Sequence, residues 1–137
     1  MKGQNRILGE ILIFSVCILI ASYIIVSFGD FQKYVHNTTI NNDLTILTNF
    51  LTSAITKVSE NDNSTIRLSI PSKISGNTYR IRLEESALTV SIFEIPSIKK
   101  SQQLFNIRKK ITLSEVLSTA KFIEVVNDNG KIKIRRF

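Results

Sequence analysis

Glu10 sits four residues after Arg6, at the entrance to a stretch, residues 11–29, that carries no charge. A lone carboxylate inside hydrocarbon is costly unless it is paired or can reach the interface. At headgroup level it can pair with Arg6, one helical turn back. A second charged group lies far along the chain, where Arg108, Lys109 and Lys110 form the densest basic cluster. From Ile95 onward ten Lys or Arg stand against three acids, in a chain whose formal net charge is +7. Such a patch can dock on an anionic envelope glycan, on lipid headgroups or on nucleic acid, or it can be a solvated face. It lacks the interleaved aromatics that stack bases, which disfavours nucleic acid. Two triplets, Asn37-Thr38-Thr39 and Asn63-Ser64-Thr65, have the form of N-glycosylation acceptors, which makes Asn37 and Asn63 candidate modification sites.

The residues that catalysis requires are sparse. There is one histidine, His36, with no acid or cysteine cluster around it, and one cysteine, Cys17, inside the apolar run. No intrachain disulfide can form. Glu84 and Glu85 are adjacent, and neighbours on a strand point to opposite faces, so they do not make a general acid–base pair. Nucleophile-elbow, zinc-protease, phosphate-loop and paired-cysteine spacings are all missing from the sequence. The expectation is a non-catalytic protein with no cofactor and no metal.

The elements that position these residues begin with the uncharged stretch. Its 19 residues make a helix of roughly 28 Å, close to the thickness of a bilayer core. Lys2, Arg6 and the α-amino group precede it, so the positive-inside rule puts the N-terminus in the cytoplasm and the remainder outside. A cleavable secretory signal is the competing reading, although its apolar region is normally shorter. Beyond the span, Ile40, Leu44, Leu47, Leu51, Ala54, Ile55 and Val58 recur at helical spacing. Thr38, Asn41 and Asn42 interrupt the pattern. A break near residues 37–43 is therefore expected, with Asp43 capping a second helical segment.

After Glu60 the apolar period changes from 3.6 to 2. Ile66, Leu68 and Ile70 alternate with Arg67 and Ser69. Tyr79, Ile81 and Leu83 alternate with Arg80 and Arg82, and Leu88, Val90 and Ile92 with Thr89 and Ser91. These are strands with one dry and one wet face. Residues 71–77 read as a turn. Residues 97–121 are ambiguous: 103–108 can be a strand, and 110–118 a strand or a short helix. Asn129-Gly130 between two apolar alternations predicts a terminal hairpin. The expected fold class is α+β: a long N-terminal transmembrane helix extending outward, then a small antiparallel β-sheet or β-sandwich domain. Its divisions are a basic head over 1–6, a span over 7–29, an amphipathic helical extension over 30–60 and a β-rich extracellular domain over 61–137. The apolar face of the sheet is the expected cover for the helix stripe.

Lys2, Gly3 and Gln4 followed by a long apolar helix resemble the class III signal of archaeal type IV pilin-like membrane-anchored surface proteins. The resemblance covers residues 2–29, with support from the helix-then-β order. It implies cleavage between Gly3 and Gln4 by a dedicated peptidase, a helix that packs in a filament core, and a β-rich head outside. It also implies membrane lipid and other pilin-like subunits as partners, in a homo- or hetero-oligomer. The family's glutamate near the helix start can pair with the N-terminal ammonium of a neighbouring subunit and set axial register. Glu10 lies two residues further from the Gly3–Gln4 cut than that glutamate usually does. The implied function is an archaeal pilin-like cell-surface protein, a minor subunit or accessory component of a type IV-like filament. The alternative is an anchored β-domain module that attaches to the cell envelope or S-layer through its basic C-terminal third.

Overall fold

The computed structural model describes residues 2–105, 107 and 111–137, with the side chains of residues 2–5 left aside. One helix is followed by seven strands: α1 (Lys2–Glu60), β1 (Thr65–Ser69), β2 (Tyr79–Leu83), β3 (Ala87–Ile92), β4 (Lys99–Gln103), β5 (Ser114–Leu117), β6 (Phe122–Asp128) and β7 (Lys131–Arg136). The fold is α+β, with an apolar N-terminal helix followed by antiparallel sheets. The chain divides into two compact units, Met1–Asn37 and Thr38–Phe137.

The first unit is helical throughout its described residues, and every side chain from Ile11 to Phe28 is exposed. By length and composition this helix can cross a membrane. Two of its serines are satisfied locally. Ser15 Oγ donates to Ile11 O and Ser22 Oγ to Ile18 O, each at 2.8 Å. Such back-bonding to the preceding turn spares these two hydroxyls the need for water.

The expected break at residues 37–43 does not occur: α1 runs through it as helix, and Asp43 lies in its interior rather than at a cap. Backbone bonding within the helix overrides the weak propensities of Asn and Thr. In the second unit the stripe from Ile40 to Val58 is buried and forms one cluster with inward residues of both sheets. The hydroxyl of Thr48, buried beside this stripe, donates to Leu44 O at 2.7 Å.

Polar side chains end the helix. Asn127 Nδ2, from β6, donates to Val58 O at 3.1 Å and to Asn61 O at 3.0 Å. Ser64 Oγ bonds the same two carbonyls at 2.9 and 2.8 Å. The last carbonyls of a helix have no intrahelical partner, so these bonds satisfy groups that would otherwise be orphaned. Asn63 turns the chain with φ 58°, a left-handed conformation that Asn tolerates better than most residues.

Two antiparallel sheets follow, one in the order β1-β6-β7 and one in the order β4-β3-β2-β5. In the first, β6 is central, with Arg67 and Arg135 opposite Glu124 on its two sides. The β6–β7 turn is the expected tight hairpin, with Asn129 at φ 50° and Gly130 at φ 79°. In the second, Ile81 pairs with Val90 on one side and Val116 on the other. The sheets join where Ile111 forms a parallel bridge to Ile132 and Ile134 N donates to Ser114 Oγ at 3.0 Å.

The ambiguous region resolves differently from its apolar pattern. The strand β4 spans Lys99–Gln103 and shares only Gln103 with the expected 103–108, of which residues 106 and 108 lie outside the described residues. Leu104 and Ile107 are buried outside any strand, in a turn where Ile107 N donates to Leu104 O. Over 111–118, the described part of the second candidate, no helix forms and β5 takes its place, because pairing with β2 satisfies its backbone. Residues 71–77 turn as expected, with Ser75 and Gly76 at positive φ. The strands they connect lie in different sheets.

Candidate functional site

At the N-terminal end, Gly3 and Gln4 lie within α1. Arg6 Nε is 3.3 Å from Glu10 Oε1, and both side chains are largely exposed. The pair sits one helical turn apart, in the orientation that helical spacing permits.

The two glycosylation triplets have different backbones. Asn37, Thr38 and Thr39 are all helical, with Asn37 exposed. On a helix, residues two apart are separated by about 200°, so an asparagine and the hydroxyl two residues on face away from each other. Asn63 is exposed in the turn before β1, where its Oδ1 accepts from Asn129 N at 3.3 Å. Arg108, Lys109 and Lys110 lie outside the described residues. Among the described residues, no three His, Cys, Asp or Glu side chains come together as metal ligands.

The structure gathers other charges on the outward sides of the sheets. On the three-stranded sheet Glu124, only 6% exposed, is held by two arginines. Arg67 Nη2 lies 3.1 Å from its Oε1 and Arg135 Nη2 2.8 Å from its Oε2. The hydrogen bond from Arg135 draws the Glu124 carboxyl below the usual range; burial opposes this, and Arg67 adds to it. Arg67 also lies over the Phe137 ring, 3.4 Å from its centroid. Each of these groups is occupied by its neighbours, so the cluster reads as a cross-strand clasp.

The four-stranded sheet is different. Its strand registers place outward side chains in two rows across all four strands. One row is Glu115, Arg82, Thr89, Ser101; the next is Leu117, Arg80, Ser91, Lys99. Between them lies an open polar hollow of about 430 Å³, flanked by Glu84 and Pro96. Glu115 is ion-paired with both arginines: its Oε2 accepts a hydrogen bond from Arg82 Nη2 at 3.0 Å, and its Oε1 lies 3.0 Å from Arg80 Nε without an aligned hydrogen bond. Thr89 Oγ1 and Ser101 Oγ are 3.1 Å apart. Lys99 forms no ion pair among the described residues and is exposed. Phe93 lies beside Arg80, with Cζ 5.1 Å from the ring centroid.

The wet half of this arrangement shows in the sequence as the polar alternations of β2 and β3. What the sequence does not show is that β4 and β5 extend the rows, since that depends on pairing register. A second hollow of about 370 Å³, lined by Ile46, Leu47, Phe50, Pro71 and Ile74 with Asp43 and Lys73, is mainly apolar. No protein-family model, no curated protein and no solved structure matches this chain.

Proposed function

We propose that the chain is an archaeal pilin-like cell-surface protein. In this reading it is non-catalytic, anchored by the first half of α1 with the N-terminus in the cytoplasm, and displays its β domain outside the cell. It serves as a minor subunit or accessory component of a type IV-like filament. The observation that carries the reading is the exposed apolar run from Ile11 to Phe28. So much bare apolar surface needs hydrocarbon or other helices around it. Support comes from the Lys2, Gly3, Gln4 head, where a peptidase would cut between Gly3 and Gln4. After that cut, the carboxylate of Glu10 lies within reach of a helix-start role, either held by Arg6 or exchanged for a neighbouring subunit's ammonium.

Mass spectrometry of the N-terminus of the protein from native membranes tests this. A mature chain starting at Gln4, in the carbonate-resistant membrane fraction, is the expected result. A start at Asp30 would remove the anchor and overturn the proposal, and an intact Met1 would overturn the processing step. In filaments, Glu10→Ala should block incorporation while leaving membrane insertion intact.

A second reading, an anchored module that attaches to the envelope or S-layer, is favoured by the polar hollow on the four-stranded sheet. A flat structural head has no need of open arginine, lysine and hydroxyl groups arranged in rows.

A further inference from the structure

We propose that the two-row face of the four-stranded sheet binds an acidic saccharide, a glycan whose sugar units carry carboxylate or sulfate groups. The proposal deepens the envelope-attachment reading and rests on the β domain being displayed outside. It moves the contact surface from the Arg108 cluster to residues that the sheet itself aligns.

The chemistry of the hollow selects the ligand class. Arg80, Arg82 and Lys99 supply three positive charges, while Glu84 and Glu115 supply two negative ones. The surplus is a single charge, which suits one anionic group at a time rather than a dense phosphate backbone. The remaining groups are hydroxyls, from Thr89, Ser91 and Ser101, which both donate and accept. A sugar presents the same mixture, with several hydroxyls of either polarity and, in an acidic sugar, one anion. A stacking platform for bases needs a series of aromatic rings; none lines this hollow, and one ring, Phe93, lies beside Arg80.

Size agrees as well. About 430 Å³ lies within the range of sites that hold small organic ligands. Rows two residues apart on a strand are separated by roughly 6.5 Å, so adjacent rows can engage successive polar groups of one chain.

The residues are also pre-positioned. One carboxylate, Glu115, orients both guanidinium groups, with Arg82 donating through Nε at 3.2 Å and Nη2 at 3.0 Å. The Arg80 Nε hydrogen is not aligned on a partner although Glu115 Oε1 is 3.0 Å away. That nitrogen is itself buried, so an incoming anion would meet the terminal nitrogens of the guanidinium, which carry further donors. Lys99, directly across Ser91 from the Arg80 column, supplies the second cation. An anionic group seated over Ser91 would lie between the two.

The test uses the full chain in non-ionic detergent micelles, titrated calorimetrically with an oligogalacturonate, with its methyl ester and with a sulfated chondroitin oligosaccharide. The expected result is binding of one or both acidic oligosaccharides and at least tenfold weaker binding of the ester. The two acidic probes distinguish carboxylate from sulfate as the anion. Affinity should fall at least tenfold in Lys99→Gln and in Arg80→Gln, as expected for loss of a charge-assisted hydrogen bond. It should be unchanged in Lys131→Gln on β7, and should weaken with added salt. Lys99→Gln removes no ion pair among the described residues, so it keeps the test clear of folding defects, which circular dichroism melting verifies. Four results would overturn the proposal. They are equal binding of acid and ester, absence of binding, an equal loss in Lys131→Gln, and tighter binding of a single-stranded DNA oligomer than of either acidic glycan. Because binding is read on purified protein, failure here leaves the membrane anchor untouched, and failure of anchoring leaves this binding test in force.

Discussion

Asn127 is fully buried on β6, and its amide nitrogen is the polar group that joins the sheet to the last turn of α1. Both partners are carbonyl oxygens, so the site needs a donor. Ser64 Oγ contacts the same two oxygens but has one hydrogen to give, so Asn127→Ala should destabilise the β domain by about 1–3 kcal/mol, the usual cost of leaving a buried acceptor unmet. Asn127→Asp has nearly the same shape but accepts only, and should cost more than the alanine. Urea denaturation in micelles, followed by circular dichroism, compares the two. Glu124 belongs to the same scale. Its folded-state affinity for protons is lower than in the unfolded chain, so its clasp stabilises the fold at neutral pH. That contribution fades as pH falls through the depressed folded value. The pH dependence of the denaturation midpoint below the ordinary carboxylate range should flatten in Glu124→Gln. An unchanged acid limb would show that the two arginines do not hold Glu124 in solution.

At the scale of elements, the second half of α1 was the most readable part of the sequence. Its apolar steps matched a helix with one covered side, and the stripe from Ile40 to Val58 is buried against both sheets. Leu51→Ala should cost about 2–5 kcal/mol, as core truncations do. Ile46→Ala, at a side chain 68% exposed, should stay within about 0.5 kcal/mol. Thermal melts of the two variants make the comparison. The β2, β3 and β6–β7 strands were legible for a similar reason, because alternation and Asn129-Gly130 are local signals. The strand β4 was not. Every one of its residues is exposed, so no apolar alternation marks it, and only pairing with β3 makes it a strand. Its lysines suit an edge, where charge discourages pairing with another chain. The interruption at Thr38, Asn41 and Asn42 misled in the other direction, since weak propensity within a long hydrogen-bonded helix does not suffice to break it. The candidate glycan face was half legible: the outward residues of β2 and β3 were visible, but the strands that complete its rows depend on long-range register.

For the molecule as a whole, the division near residue 37 separates two kinds of surface. In the first unit the apolar side chains are exposed. In the second they form a core of its own, with helix stripe and strands in one cluster. Residues 38–137 made alone should therefore be folded and soluble without detergent, whereas the full chain should require it. Size-exclusion chromatography and circular dichroism of the two preparations decide the matter. A shortened chain that aggregates or lacks β structure would show that the first unit is needed for folding and not only for anchoring.

The bonds from Asn127 to Val58 and Asn61 reach across 69 and 66 residues of chain. Translation proceeds at roughly 5–20 residues per second, so the helix end emerges several seconds before the side chain that seals it. During that interval β1 also waits for β6, its one neighbour in the sheet among the described residues. The newborn protein thus passes through a period with a finished helix, a bare stripe and an unpaired strand. Whatever meets it in those seconds, a holding chaperone or another nascent copy, has access to a surface that the finished molecule never presents.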